Sequence, residues 1–260
     1  MKSPAQIAAT YENAGAAKTK LSFKKAFLLG IMAGAFIALG GLGSQIASVH
    51  AANPSAARLV SSVVFPIGLF MVLVGGAELF TGNCLIIIPV LSKKATVTGM
   101  LRNWVIVYLG NMVGGLIVAM LAVFSNTYGF DDGTLATSVV HTAVVKSNIP
   151  FTDGLLKGIL CNVLVCMAVW CSFAADELAG KILALWLPVM LFIIGGFEHC
   201  VANMYFIPAG LLASSVYGIP AEGLSLLGYF VTNLIPVTIG NIIGGALFVG
   251  ATYFAVYLNN

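Results

Sequence analysis

Gly76-Ala77-Glu78-Leu79-Phe80-Thr81-Gly82-Asn83 and Gly196-Phe197-Glu198-His199-Cys200-Val201-Ala202-Asn203 share one pattern, G-x-E-x-x-x-x-N, and each interrupts a long apolar stretch. Those stretches, residues 59–91 and 182–212, each run to thirty-odd residues. As unbroken helices rising about 1.5 Å per residue they would reach about 50 Å, against a bilayer core of about 30 Å. Each also carries a proline on either side of its glutamate: Pro66 and Pro89 around Glu78, Pro188 and Pro208 around Glu198. Proline removes a backbone donor and disrupts a helix. Both stretches are therefore expected to be helices broken near their midpoints.

A second match follows the first in the same order. Asn103-Trp104-Val105-Ile106-Val107-Tyr108-Leu109-Gly110-Asn111 aligns with Asn233-Leu234-Ile235-Pro236-Val237-Thr238-Ile239-Gly240-Asn241, and both continue to a glycine pair, Gly114-Gly115 and Gly244-Gly245. Two ordered matches read as an internal repeat, residues 26–124 and 153–258. Each repeat holds three apolar stretches: 26–49, 59–91 and 103–124 in one, 153–173, 182–212 and 224–258 in the other. Three is odd, so the halves enter the bilayer from opposite sides. The expected fold is an all-α membrane protein with six transmembrane helices in inverted three-plus-three repeats, its second and fifth helices broken.

Composition agrees. Of 260 residues 60% are hydrophobic and only 8% charged, against about 25% charged in soluble domains. No soluble fold hides that much apolar surface. The net charge of +3 forms no basic stripe suited to nucleic acid. Cys84, Cys161, Cys166, Cys171 and Cys200 lie in apolar segments without C-x-x-C spacing, so neither a metal site nor a cofactor is expected. Residues 1–25 lack a signal-peptide layout and read as a cytoplasmic segment ahead of one channel domain, residues 26–258. Lys18, Lys20, Lys24 and Lys25 precede the first span, Lys93, Lys94 and Arg102 separate the second and third, and Lys181 precedes the fifth. The alternate loops hold Arg58, Lys146, Asp131, Asp132, Asp153 and Glu222. The positive-inside rule then puts both termini of this multi-pass protein in the cytoplasm of the cell (inner) membrane.

Irregular backbone at membrane depth is tolerated where it is buried or lines a cavity, and matched breaks in two repeats point to the transport site. Half-helix ends there expose backbone N–H groups and the positive end of a helix dipole, which suit an anion. The residues quoted above, with Gly158-Ile159-Leu160-Cys161-Asn162, give the chain a resemblance to the formate/nitrite transporter family over nearly its whole length. The resemblance implies an aquaporin-like fold and a homopentamer with one pore per protomer, passing formate, nitrite or hydrosulfide. Carried over by position, it implies His199 as the central pore histidine, Thr81 as its partner and Asn203 as its support. Lys157 and Asn162 join them on the substrate path. It implies Leu79, Phe80 and Val165 as one constriction, and Phe65, Leu69 and Phe192 as the other.

The chemistry fits weak acids. Stripping water from a bare ion costs up to tens of kcal/mol in the Born limit, and the conjugate base of a weak acid can offset this by taking a proton. Histidine is the side chain most readily poised to help near neutral pH. His199 is expected to hydrogen-bond the anion and offer a proton, while the Thr81 hydroxyl donates to it. Glu78 and Glu198 are the only acids deep in the spans. A carboxylate facing an anion path would repel it, so both are expected to hold the breaks by accepting orphan backbone N–H groups, with a proton relay as the alternative role. Lys157 would concentrate anions. Gly34, Gly40, Gly41 and Gly43 suit close helix packing, and His50 and His141 fall in outer loops. Formate is the expected substrate, with nitrite or hydrosulfide as alternatives. A neutral-solute channel of aquaporin or glycerol type is a rival of another class, although the Asn-Pro-Ala boxes it would carry are missing.

Overall fold

The computed structural model describes residues 1–129 and 131–259, and every regular element among them is helical. An N-terminal helix, α1 (Pro4–Thr19), is started by Pro4 and by a capping box between Ser3 and Gln6. It is followed by α2 (Phe23–Ser48), α3 (Pro54–Gly75), α4 (Phe80–Leu91), α5 (Val97–Phe124), α6 (Thr134–Ser147), α7 (Phe151–Ser172), α8 (Leu178–Ile194), α9 (Cys200–Tyr217) and α10 (Gly228–Tyr257). Among the described residues, α2, α3, α5, α7, α9 and α10 are long and apolar enough to cross a bilayer. The two long stretches of sequence appear as the pairs α3–α4 and α8–α9, each separated by a few non-helical residues.

The prolines are not where the helices end. Pro89, Pro188 and Pro208 lie inside helical segments, and Pro66 marks only a turn within α3. The half-helices stop instead at Gly76 (φ 78°) and Gly196 (φ 64°), both left-handed. The next N–H, of Ala77 or Phe197, reaches back to the carbonyl of Val72 or Phe192. That is the glycine-dependent reversal that satisfies a helix's last carbonyls. A side chain at Gly76 or Gly196 would be strained whatever the space around it.

Two glycine-rich crossings fix the scaffold. A Cβ on Gly110 of α5 would sit 2.7 Å from the Phe27 carbonyl of α2, and one on Gly158 of α7 would sit 2.8 Å from the Val237 carbonyl of α10. Only glycine allows backbones this close, which is how helices associate when lipid removes the hydrophobic drive. The five cysteines are free thiols, four of them buried in this packing.

The sequence reading passes over α6, which lies in what it takes for a loop. Its mixed composition gives no span signal, yet Leu135, Ala136, Val139 and Val140 are buried and the helix packs on α9. It carries His141 and Lys146, so His141 is helical rather than part of a loop.

Helix α1 docks through buried Ile7, Ala8 and Tyr11 and through an ion pair between Glu12 and Lys94. Burial pushes the Glu12 carboxyl up, but hydrogen bonds from Lys94 and Ser92 and the Lys94 charge outweigh it and hold it below its ordinary 4.5. A lowered carboxylate contributes stability that is complete above its unfolded value and lost as pH falls through the folded one. Hydrogen exchange of the α1 amides should therefore quicken, relative to the rest of the chain, as pH drops below about 4.5. Glu12→Gln should exchange quickly already at pH 7 and lose that dependence. Identical exchange in the two proteins at pH 7 would show that the pair does not hold α1.

Candidate functional site

The bonds that stabilise the first break recur in the second. The Glu78 N–H donates to the Leu29 carbonyl (3.2 Å) and the Glu198 N–H to the Lys157 carbonyl (3.3 Å). Asn111 Oδ1 accepts the Phe80 N–H, and Asn241 Oδ1 the Cys200 N–H, both at 2.9 Å. Asn111 Nδ2 donates to the carbonyls of Gly30 (2.8 Å) and Glu78 (2.9 Å); Asn241 Nδ2 donates to those of Gly158 (2.8 Å) and Glu198 (3.0 Å). These two asparagines close the second repeated motif. They take the orphan backbone groups that the sequence reading gives to the glutamates.

The glutamates are engaged elsewhere, which corrects that expectation. Glu78 accepts from Lys18 Nζ (2.6 Å) and Asn83 Nδ2 (2.7 Å). Glu198 accepts from Lys146 Nζ at both oxygens (2.9 and 3.0 Å) and from Asn203 Nδ2 (2.7 Å). Asn103 and Asn233 complete each cluster. Their Oδ1 atoms accept from Asn83 and Asn203, and their amides donate to the carbonyls of Lys18 and Lys146. Each of these buried carboxylates is thus paired with a lysine, which offsets part of the cost of burying it. The objection that a bare carboxylate would repel an anion is thereby met. Asn203 supports Glu198 through its amide; its link to His199 is only the backbone bond from its N–H to the His199 carbonyl.

Three cavities adjoin one another at the breaks. One of ≈ 520 Å³ contains Lys146, Glu198 and Asn203 in its wall, and one of ≈ 190 Å³ contains Lys18, Glu78 and Asn83. Between them is a chamber of ≈ 10 Å³, room for about one water. It shares Phe65, Phe192 and His199 with the Lys146 cavity, and Leu69 and Leu79 with the Lys18 cavity. The Phe65 and Phe192 rings meet edge to face with centroids 5.6 Å apart. The hydrophobic residues thus divide differently from the expectation. Phe65 and Phe192 close one end, Leu69 and Leu79 the other, and Val165 faces the chamber between. Phe80 lines none of the three; its ring packs edge-on against Trp104 and Tyr108 of α5.

His199 is 3% exposed and borders the chamber. As the N-cap of α9 it accepts the Ala202 N–H at Nδ1 (3.0 Å). That acceptor is unprotonated, so the neutral ring carries its proton on Nε2 and donates it to Thr81 Oγ1, 2.9 Å away. A second proton, on Nδ1, would point at the Ala202 N–H, so the ring can become doubly protonated only by releasing the cap. Thr81 lines none of the three cavities, and its hydroxyl is bonded to the His199 ring that borders the chamber. Asn162 lines none of the three cavities either. Its amide donates to the carbonyls of Thr81 (3.2 Å) and Asn241 (2.6 Å), tying the two halves together. Lys157 lines none of the cavities either, and its ammonium lies 3.7 Å from Asp153.

The pairing of Lys18 with Glu78 and of Lys146 with Glu198 is what the sequence reading misses. The only signal was the repeat of Asn103 and Asn233, whose amides anchor both lysines. Among the described residues no group of His, Cys, Asp or Glu is arranged to hold a metal.

A family model described as formate/nitrite transporter matches residues 5–255. The chain is 37% identical over 275 residues to a probable formate transporter of Methanothermobacter thermautotrophicus, covering 99% of this chain and 97% of that protein. It is 37% identical over 268 residues to the formate channel FocA of Escherichia coli (strain K12), covering 98% of this chain and 94% of the relative. A solved structure described as a pentameric formate channel with formate bound aligns with a TM-score of 0.83 at 34% identity, covering 91% of this chain and 98% of that one.

Proposed function

The chain belongs to the formate/nitrite transporter family, and from that premise we propose that it conducts small monovalent anions, formate first among them, through the three adjoining cavities. It is a multi-pass membrane transport protein and not an enzyme. The observation that carries the reading is the chamber itself, which shares walls with a cavity on either side and has His199 as its polar residue. An anion enters one cavity hydrated and meets a balanced lysine–glutamate pair. It sheds its water between Phe65 and Phe192 or between Leu69 and Leu79, and takes the Nε2–H of His199 in exchange for Thr81. Hydrophobic constrictions of this kind gate by excluding water, so the fixed N–H offsets part of a desolvation cost that water would otherwise carry. Protonation of the anion as it leaves water offsets more. Formate is favoured because the formate channels and the formate transporter named above match 91–99% of the chain; nitrite and hydrosulfide share the required chemistry. The working form is a homopentamer in the cell membrane with both termini in the cytoplasm, so the Lys146 cavity opens outward and the Lys18 cavity, under α1, inward.

Proteoliposomes containing the protein should pass formate at least about tenfold faster than protein-free vesicles do, with nitrite and hydrosulfide measured beside it at pH 5.5 and 7.5 and glycerol swelling at the protein-free rate. Glycerol swelling without formate flux would replace the anion reading by a neutral-solute one.

A further inference from the structure

Arg58 belongs to the Lys146 cavity but to neither ion-pair cluster. It sits on α3, in the cavity wall, and its guanidinium lies 3.6 Å from where a Cβ on Gly196 would stand, beside the left-handed glycine that ends α8. Among the described residues it makes no ion pair and no side-chain hydrogen bond. The other cation of this cavity, Lys146, is taken up by both oxygens of Glu198 and lies 5.5 Å from the Phe206 ring centroid. Arg58 is thus the uncompensated charge, and it gives this mouth a net positive potential. In the opposite cavity Lys18 and Glu78 cancel, and no other charged residue lines it. The two breaks are alike in their bonds, but their mouths are unlike in charge.

We propose that Arg58 is an anion-capture residue that makes the Lys146 mouth the face of higher apparent affinity for monovalent carboxylates. A guanidinium presents paired N–H donors that match the two oxygens of a carboxylate, and an unbalanced charge, on an exposed side chain such as Arg58, raises the local anion concentration at low ionic strength. The ≈ 520 Å³ cavity admits anions that the ≈ 10 Å³ chamber does not. Capture is therefore tolerant of size while passage is not, and a bulky carboxylate such as benzoate should bind at Arg58 and block. His141 also lines this cavity and is available as a neighbouring donor. The inference rests on the transport reading above, so its test has one arm that needs flux and one that does not.

In proteoliposomes of known sidedness at about 10 mM salt, where screening is weak, Arg58→Gln should raise the formate KM from the Lys146 side about five-fold and weaken block by benzoate. It should leave the maximal rate and the KM from the Lys18 side unchanged. Arg58→Lys should recover part of the affinity, and the difference should shrink at about 150 mM salt. Unchanged KM, or equal changes on both sides, overturns the proposal. In the second arm, formate or benzoate at millimolar concentration should slow phenylglyoxal labelling of Arg58 several-fold in the detergent-solubilised protein. Arg102, which donates to the Leu21 carbonyl on the far side of the bilayer, serves as the unprotected control. Equal labelling of Arg58 with and without anion overturns capture even where flux is intact. Protection of Arg58 with no wild-type flux sustains capture and sinks the transport reading instead.

Discussion

A His199→Asn protein should assemble and melt like the wild type yet pass formate about 100-fold more slowly, the scale on which fixed donors to a developing or desolvated anion act. Asparagine is chosen because the imidazole has two duties that the substitution separates. Nδ1 caps α9 by accepting the Ala202 N–H, and asparagine is among the strongest N-cap residues, so its side-chain oxygen can take over that bond. What it cannot supply is the ring that borders the chamber and holds, against Thr81, the Nε2–H that an anion would take over. His199→Ala removes both, and should add about 1 kcal/mol of lost capping to the same loss of flux.

The pH profile distinguishes two ways in which the ring could act. With Nδ1 committed to the cap, a neutral ring donates one hydrogen bond and moves no proton of its own. If it donates only that bond, the Asn protein should be slow at every pH with the wild-type profile unaltered. If the ring also passes a proton to the anion, it must first be doubly protonated, which means letting go of Ala202. The wild-type profile should then carry a dependence that the Asn protein lacks. An Asn protein with unchanged rate and unchanged pH dependence would remove His199 from the mechanism altogether.

The breaks were legible because their signal is local: a glycine that only a left-handed turn requires, a glutamate where lipid should be, and the same pair again 120 residues later. The hydrophobic gates were half legible. Leu79 and Phe80 are adjacent, so near the start of a half-helix they point in different directions; one reached the chamber and the other the aromatic pocket of α5. The lysines were not legible as partners. Lys18 lies 60 residues from Glu78, and Lys146 lies 52 from Glu198. Both stand outside the apolar spans, where a basic residue looks like a topology signal. Lys157 drew attention by lying within a span, yet its contribution to the second break is a backbone carbonyl that any residue would offer. Asn111 and Asn241 were visible as repeated letters, but a sequence does not say that one side chain will serve three backbone groups.

That last point sets the second large effect. Asn241→Leu should lower the melting temperature of the assembled protein by roughly 5–20 °C and reduce its yield in the membrane. Leucine fills a similar space but leaves the Cys200 N–H and the Glu198 carbonyl without their partner; the Gly158 carbonyl keeps the bond of its own helix. Each buried backbone group so orphaned costs about 1–3 kcal/mol, and at membrane depth no water can replace the lost bond. Two such losses are a large share of a typical stability of about 5–15 kcal/mol. Asn241→Asp should cost at least as much as leucine: one oxygen can still accept the Cys200 N–H, but the other would face the Gly158 and Glu198 carbonyls with no cation beside it. Asn111→Leu makes the same cut in the other half, at the Phe80 N–H and the Glu78 carbonyl, and should cost about as much. A leucine variant of either residue melting within about 2 °C of the wild type would mean that the breaks are held by packing alone. The matched bonds would then be a by-product of the repeat and not what keeps two interrupted helices open in the bilayer.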